Sequence, residues 1–325
     1  MIGKGASVSE SSVLEQATER PVTRLARALP YLVLFGGVMV AAAAAIMIRY
    51  AQAMEMPSIT IAAGRLGLAA IILLPIAWSR AGNELRRLSR RDLLLGVASG
   101  VFLAVHFAAW ISSLAYTSVA SSVALVSTNP LWVALLSALL LRERPSLLTM
   151  AGVVLTITGS ILIGISDSAG PDSGNALLGN LLALLGAFGG SIYFLVGRSL
   201  RRHVSVLAYI WLVYTSAAVV LLLMALAFAG TANPLTLFGG YPPLAYLLLL
   251  GLAVGPQLLG HTAFNWSLRY LSATFVTVAL LGEPIGSAVL ALILFGEWFA
   301  PLQLAGFVIL LAGIAVAARG ERGDQ

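Results

Sequence analysis

Glu283 and Arg65 pose the sharpest chemical question in this sequence, because each sits within a long apolar run. Glu283 lies inside the run 272–295, and Arg65 stands about eight residues into the run 57–78. A bare charge at the centre of a bilayer costs several kcal/mol unless it is paired, hydrated or bound. A buried carboxylate can hold an ammonium group or take up a proton. The planar guanidinium fork matches a carboxylate. A zwitterion would satisfy both at once. The alternative is that the two side chains satisfy each other as a structural ion pair.

Polar residues recur at helical spacing in two further runs. Gln257, His261 and Asn265 follow one another at i, i+4 and i+8, and Ser99, His106, Trp110 and Ser113 share one side of the run 92–114. Polar stripes on membrane helices turn toward a cavity or another helix, not toward lipid. Each histidine touches either a solute or only a hydrogen-bonding neighbour. Tyr193, Trp211 and Tyr214 are candidates for an aromatic wall, or else for packing and interfacial belts. Asn129-Pro130 and Glu283-Pro284 each place a proline midway along an apolar run. Proline lacks the N–H that would serve the carbonyl four residues earlier, here those of Val126 and Leu280, so kinks are expected at both places. Freed backbone groups at membrane depth are tolerated where they line a cavity or are buried in protein. These sites, with Arg65, form the candidate substrate-binding set. No catalytic residue, metal ligand or cofactor is assigned.

The elements that carry these residues follow from composition. Of the 325 residues, 59% are hydrophobic and 10% charged, with a mean hydropathy of +0.96. Soluble domains carry about a quarter charged residues, so this surface must face lipid. The apolar blocks predict ten helices near 30–50, 57–78, 92–114, 118–141, 147–166, 176–198, 205–229, 243–268, 272–295 and 301–318. Breaks are expected at Pro57, Arg80-Ala-Gly-Asn83, Arg142-Glu-Arg-Pro145, Asp167–Gly174, Arg201-Arg202, Gly239–Pro243 and Pro301. With the N-terminus inside, every one of the 19 Lys and Arg residues except Arg49 and Arg65 falls at the cytoplasmic side. That bias predicts both termini in the cytoplasm. Residues 1–28 read as a largely disordered tail with a short surface helix near Arg20–Arg27, and 319–325 as a C-terminal tail. The net charge of +6 belongs to these inner loops and implies no nucleic acid. There is no cysteine, hence neither disulfide nor thiol chemistry.

The chain also matches itself. A shift of 154 residues lays Leu114, Tyr116 and Ser118 on Leu268, Tyr270 and Ser272, Pro130 on Pro284, Glu143 on Glu297, Gly152 on Gly306 and Gly159 on Gly313. A weaker match sets Arg49 against Arg198 and makes the repeat five helices long: 29–166, then 167–318. Five is odd, so the second copy inserts upside down, an architecture of alternating-access carriers with a site near the midplane. The doubled pattern of Leu-x-Tyr-x-Ser, a mid-helix Pro, Glu thirteen residues later and then Gly resembles the paired EamA repeats of the drug/metabolite transporter superfamily. The chain looks most like the YddG-type amino-acid exporters of bacterial inner membranes. The resemblance implies a ten-helix, 5+5 inverted-repeat secondary transporter. Its substrate would be an amino acid (neutral or aromatic) or a similar metabolite, exported across the inner membrane, with protons as candidate coupling ions and a monomer or homodimer as the working unit.

Glu143 and Glu297 are placed to cap the helices that follow. Gly96-xxx-Gly100, Gly186-xxx-Gly190 and Gly251-xxx-Gly255 permit close helix contact. Other functions find less support. A drug or other metabolite exporter is the nearest alternative. An intramembrane hydrolase is more distant, since Val97-Ala-Ser99-Gly100 lacks the glycine two residues before serine and no base stands at a recognisable spacing. No GxxxxGK[ST] loop is present for ATP.

Overall fold

The computed structural model describes residues 24–117, 119–137, 139, 145–168, 175–295 and 300–323. Among them every regular element is helical. In chain order they are α1 (Arg24–Ala41), α2 (Ala44–Ala53), α3 (Ser58–Arg87), α4 (Arg90–Ser113), α5 (Val119–Val126), α6 (Asn129–Leu136), α7 (Leu147–Ser168), α8 (Ala176–Leu200) and α9 (Val206–Ala229). There follow α10 (Pro234–Leu237), α11 (Pro243–Leu252), a π-helical run (Ala253–His261), α12 (Thr262–Ser267), α13 (Ala273–Ala279), α14 (Gly282–Phe295) and α15 (Pro301–Gly323).

Among the described residues, 7 helices are long and apolar enough to cross a membrane, with α1 and α2, α11 to α12 through the π-helical run, and α13 and α14 each counting as one. Shorter apolar helices run over Leu147–Leu162 and Leu304–Ala317. Phe35, Ile71, Trp78, Leu94, Leu223, Phe228 and Val308 stand exposed on the outside, an apolar coat suited to lipid. Serines fix several helix starts: Ser89 Oγ accepts from Asp92 N, Ser205 Oγ from Ala208 N and Ser272 Oγ from Phe275 N, at 3.0–3.2 Å.

The helices pack in pairs: α4 against α8, α3 against α9, α7 against α15, and α1 against the π-helical run and α12. Glycine makes the α7–α15 seam possible. A Cβ at Gly159 would stand 2.5 Å from the Gly306 carbonyl oxygen, and one at Gly152 would overlap the backbone of Ala317.

The structure corrects several expected boundaries. Arg80-Ala-Gly-Asn83 is no break; α3 runs on to Arg87, because the good helix formers Glu84, Leu85, Arg86 and Arg87 carry it past the weak Gly82 and Asn83. The turn comes at Leu88, before the Ser89 cap. Arg24–Ala28, expected within the tail, already belongs to α1, and α15 extends to Gly323, beyond the expected end at 318. Residues 1–23, Ser118, Arg142-Glu143-Arg144, Pro171-Asp172 and Glu297 lie outside the described residues.

Two runs expected to be kinked are interrupted outright. α5 gives way to α6 through a turn at Ser127–Thr128, and α13 to α14 at Leu280–Leu281. Each proline then falls in the first turn of the second half, where its missing N–H costs little. The Leu280 carbonyl, expected to lose its partner, accepts from Glu283 N at 2.8 Å.

Two interruptions were not anticipated. α1 and α2 part at Ala42–Ala43 with no proline there; Ser287 Oγ of α14 donates to the Ala42 carbonyl at 2.7 Å. The run 243–268 widens into the π-helix around Pro256. In an α-helix the proline ring would strike the Leu252 carbonyl, and the wider turn relieves that clash.

Candidate functional site

The interruptions converge. α2 and the end of α1, the α5–α6 turn, the end of the π-helical run and the α13–α14 turn surround one cavity with α3, α4 and α8. Its lining includes Ala41, Ala44, Arg65, His106, Trp110, Val126, Ser127 and Asn129 from the first half, with Phe194, His261, Phe264, Thr277, Leu280 and Glu283 from the second. Its volume is about 40 Å³, room for a few waters at most. A solute with a bulky side chain fits only if the helices part.

Arg65 is 1% exposed. Its Nε donates to Gln257 Oε1 at 2.9 Å, its guanidinium carbon lies 4.2 Å from the centroid of the Phe107 ring, and its Nη1 has no hydrogen-bond partner. The expected alternative, an Arg65–Glu283 ion pair, is absent among the described residues, although both side chains border the cavity. The two side chains therefore face one small space without a direct ion pair between them.

His106 Nδ1 donates to the Gly186 carbonyl at 2.8 Å, so in a neutral ring the proton sits on Nδ1 and Nε2 is the acceptor. His106 stacks near Trp110 with centroids 6.0 Å apart and stands 6.4 Å from His261. His261 Nδ1 has no partner. Gly190 lets α8 close on this group: a Cβ there would stand 2.8 Å from His106 Nδ1 and 3.2 Å from Asn129 Oδ1. Ser191 Oγ in turn lies 3.1 Å from the Asn129 carbonyl and 3.2 Å from its Oδ1, and so braces the start of α6.

Six of the sequence candidates thus line the cavity: Arg65, His106, Trp110, Asn129, His261 and Glu283. Gln257, Tyr193, Tyr214 and Asn265 form a buried layer beside it. Tyr214 OH donates to the Gln257 carbonyl at 3.4 Å, while Asn265 Nδ2 donates to the His261 carbonyl at 2.7 Å and to Tyr193 OH. Trp211 packs against the hydrophobic core away from the lining. Of the other residues picked out on α4, the Ser99 hydroxyl bonds to Tyr209 OH at 2.8 Å and Ser113 to the Trp110 carbonyl at 2.7 Å, both outside the cavity. Sequence reasoning passed over Ser127, Phe194, Phe264, Thr277 and the Arg65 platform Phe107. Ser127 was within reach, since it stands in the turn just before Asn129-Pro130.

A bundle of apolar helices, broken where they meet around a small cavity that several polar side chains border, is the architecture of membrane solute carriers. A family model for the EamA-like transporter family matches residues 28–165 and 177–319. The chain belongs to that family, and hence to the drug/metabolite transporter superfamily. Its relatives are named as transporters. The uncharacterized transporter YxxF of Bacillus subtilis is 25% identical over 264 residues, 79% of this chain and 80% of that protein. The uncharacterized transporter YetK of the same organism is 28% identical over 201 residues, 56% of this chain and 60% of YetK. An uncharacterized transporter of Archaeoglobus fulgidus is 25% identical over 236 residues, 72% and 80% of the two chains. A solved crystal structure shares the fold with a TM-score of 0.71 at 18% identity, covering 90% of this chain and 98% of that one.

Proposed function

We propose that this transporter is a secondary carrier for neutral amino acids, aromatic ones included, or closely related zwitterionic metabolites, and that it exports them across the bacterial inner membrane by alternating access. The observation that carries the reading is the unjoined pair: a guanidinium and a carboxylate border the same cavity, each lacking the other as partner. A free zwitterion presents one carboxylate and one ammonium, and the rings of Trp110, Phe194 and Phe264 supply apolar surface for its side chain. The architecture that we assign to this function is ten membrane helices as a 5+5 inverted repeat, covering 29–166 and 167–318, with both termini cytoplasmic. It is supported by the paired interruptions at Ser127–Thr128 and Leu280–Leu281 and by the two matched stretches.

The test is counterflow in proteoliposomes with radiolabelled leucine, phenylalanine and tryptophan, with and without a pH gradient. Exchange of at least one of them, inhibited by the others, is expected. Transport of lipophilic cations alone would replace this reading with that of a drug exporter. Glu283 is assigned to the ammonium, so Glu283→Gln is expected to lower counterflow and gradient-driven flux together, by about tenfold or more, for the loss of one charge-assisted bond. Loss of the pH stimulation alone would instead make it a proton carrier. For topology, a C-terminal fluorescent fusion is expected to be bright and an alkaline phosphatase fusion inactive.

A further inference from the structure

The side chain that aims Arg65 comes from the π-helical run, and the opposite copy of the repeat has no counterpart to it. Gln257 is 0% exposed. Arginine can only donate, so the amide atom facing Arg65 Nε at 2.9 Å must be the oxygen. The amide nitrogen, Gln257 Nε2, is then left buried without a partner, as is Arg65 Nη1. Nε held by the amide and the ring of Phe107 at 4.2 Å under the guanidinium fix the plane of Arg65 in two independent ways. At the shift of 154 residues, Pro256 falls on Phe102 and Gln257 on Leu103, both within the unbroken helix α4. Thus neither the proline that widens the turn nor the amide that it presents occurs in the first copy.

We infer that Gln257, presented by the π-helical turn at Pro256, is the positioning residue that holds Arg65 as a charged carboxylate receptor, and so sets the preference of the cavity for zwitterions over amines. The inference rests on the amino-acid reading above. Its chemistry depends on a neutral partner. A neutral amide orients the guanidinium without cancelling its charge, whereas a carboxylate at the same place would pair with it and leave a substrate carboxylate facing a neutralised arginine.

Gln257→Glu tests this directly, compared with the native protein in proteoliposomes. The probes are leucine, phenylalanine and tryptophan, each beside its decarboxylated amine. The expected result is a shift of at least tenfold in the amino-acid to amine transport ratio, toward the amine, with a thermal midpoint in detergent equal to or above the native one. Gln257→Leu serves where the acidic variant fails to assemble. It removes the acceptor without adding charge, and KM for amino acids is expected to rise severalfold with kcat changing less. An unchanged ratio in a folded, active Gln257→Glu protein, or an unchanged KM in Gln257→Leu, overturns the inference. Failure of the native protein to handle any of the amino acids overturns the functional reading instead, and the two failures are therefore distinct.

Discussion

Two arginines, each 1% exposed, occupy opposite situations in this molecule. Arg201 sits where α8 ends. Its Nε donates to the Asn265 carbonyl at 3.1 Å and its Nη1 to the Val204 carbonyl. Both acceptors are backbone oxygens, and the cation lies beside the C-terminal ends of α8 and α12, where the helix dipole is negative. The nearby Glu84 accepts from Ser205 N at 2.6 Å and completes the corner. Arg65, by contrast, has one amide acceptor, one ring face and an Nη1 with nothing to bond. Burial alone does not separate the two residues; satisfaction does. A buried cation whose donors meet backbone acceptors is part of the frame, and the one left short of an acceptor beside a cavity is the one we propose as a ligand contact.

The largest effect that could break this contrast is on folding. Arg201→Ala leaves the Asn265 and Val204 carbonyls short of donors, at about 1–3 kcal/mol each. Thermal unfolding in detergent is expected to show a loss of about 2–6 kcal/mol, with KM of the surviving protein unchanged. A normal midpoint with an altered KM would move Arg201 into the transport path. Arg65→Lys is expected to do the reverse. An ammonium cannot keep both the Gln257 bond and a fork toward the cavity, so amino-acid affinity should fall about 10- to 100-fold, or 1.4–2.8 kcal/mol, while the midpoint moves less than in Arg201→Ala. Equal destabilisation by both substitutions would erase the distinction. The smallest effect is expected of Pro284→Ala. The break at Leu280–Leu281 is already held by the Glu283 N bond to Leu280 and by Ser287 on Ala42, so the midpoint should change by less than about 1 kcal/mol. A straightened, inactive helix would show that the proline itself makes the break.

Much of this site could be read from the sequence because its signals are local. A charge inside an apolar run, a proline in mid-helix and a polar stripe at a spacing of four each declare themselves within a few residues, and they led to Arg65, Glu283, His106 and His261. Trp211 shows the limit: its sequence setting matches that of Tyr214, yet it stays half-buried against the outside of the core while Tyr214 is fully buried, and only the rotation of α9 decides that. The Arg65–Glu283 pairing was equally open on paper, since proximity in depth says nothing of which acceptor stands nearer. Gln257 won that place through Pro256 and the widened turn. The parting of α1 and α2 was invisible for a stronger reason. Ala41–Ala45 is among the most helix-favouring stretches possible, and its interruption coincides with a contact from the far half of the chain.

That last contact also sets an order of events during synthesis. Ser287 follows Ala42 by 245 residues, so at roughly 5–20 residues per second the ribosome makes it some 10–50 s later. Until then the Ala42 carbonyl lacks this donor, and the alanine segment has no partner from α14 at its turn. If the contact holds the turn open, a nascent chain stalled before Ser287 should carry an uninterrupted first helix, and the cavity should close in one late step instead of growing half by half.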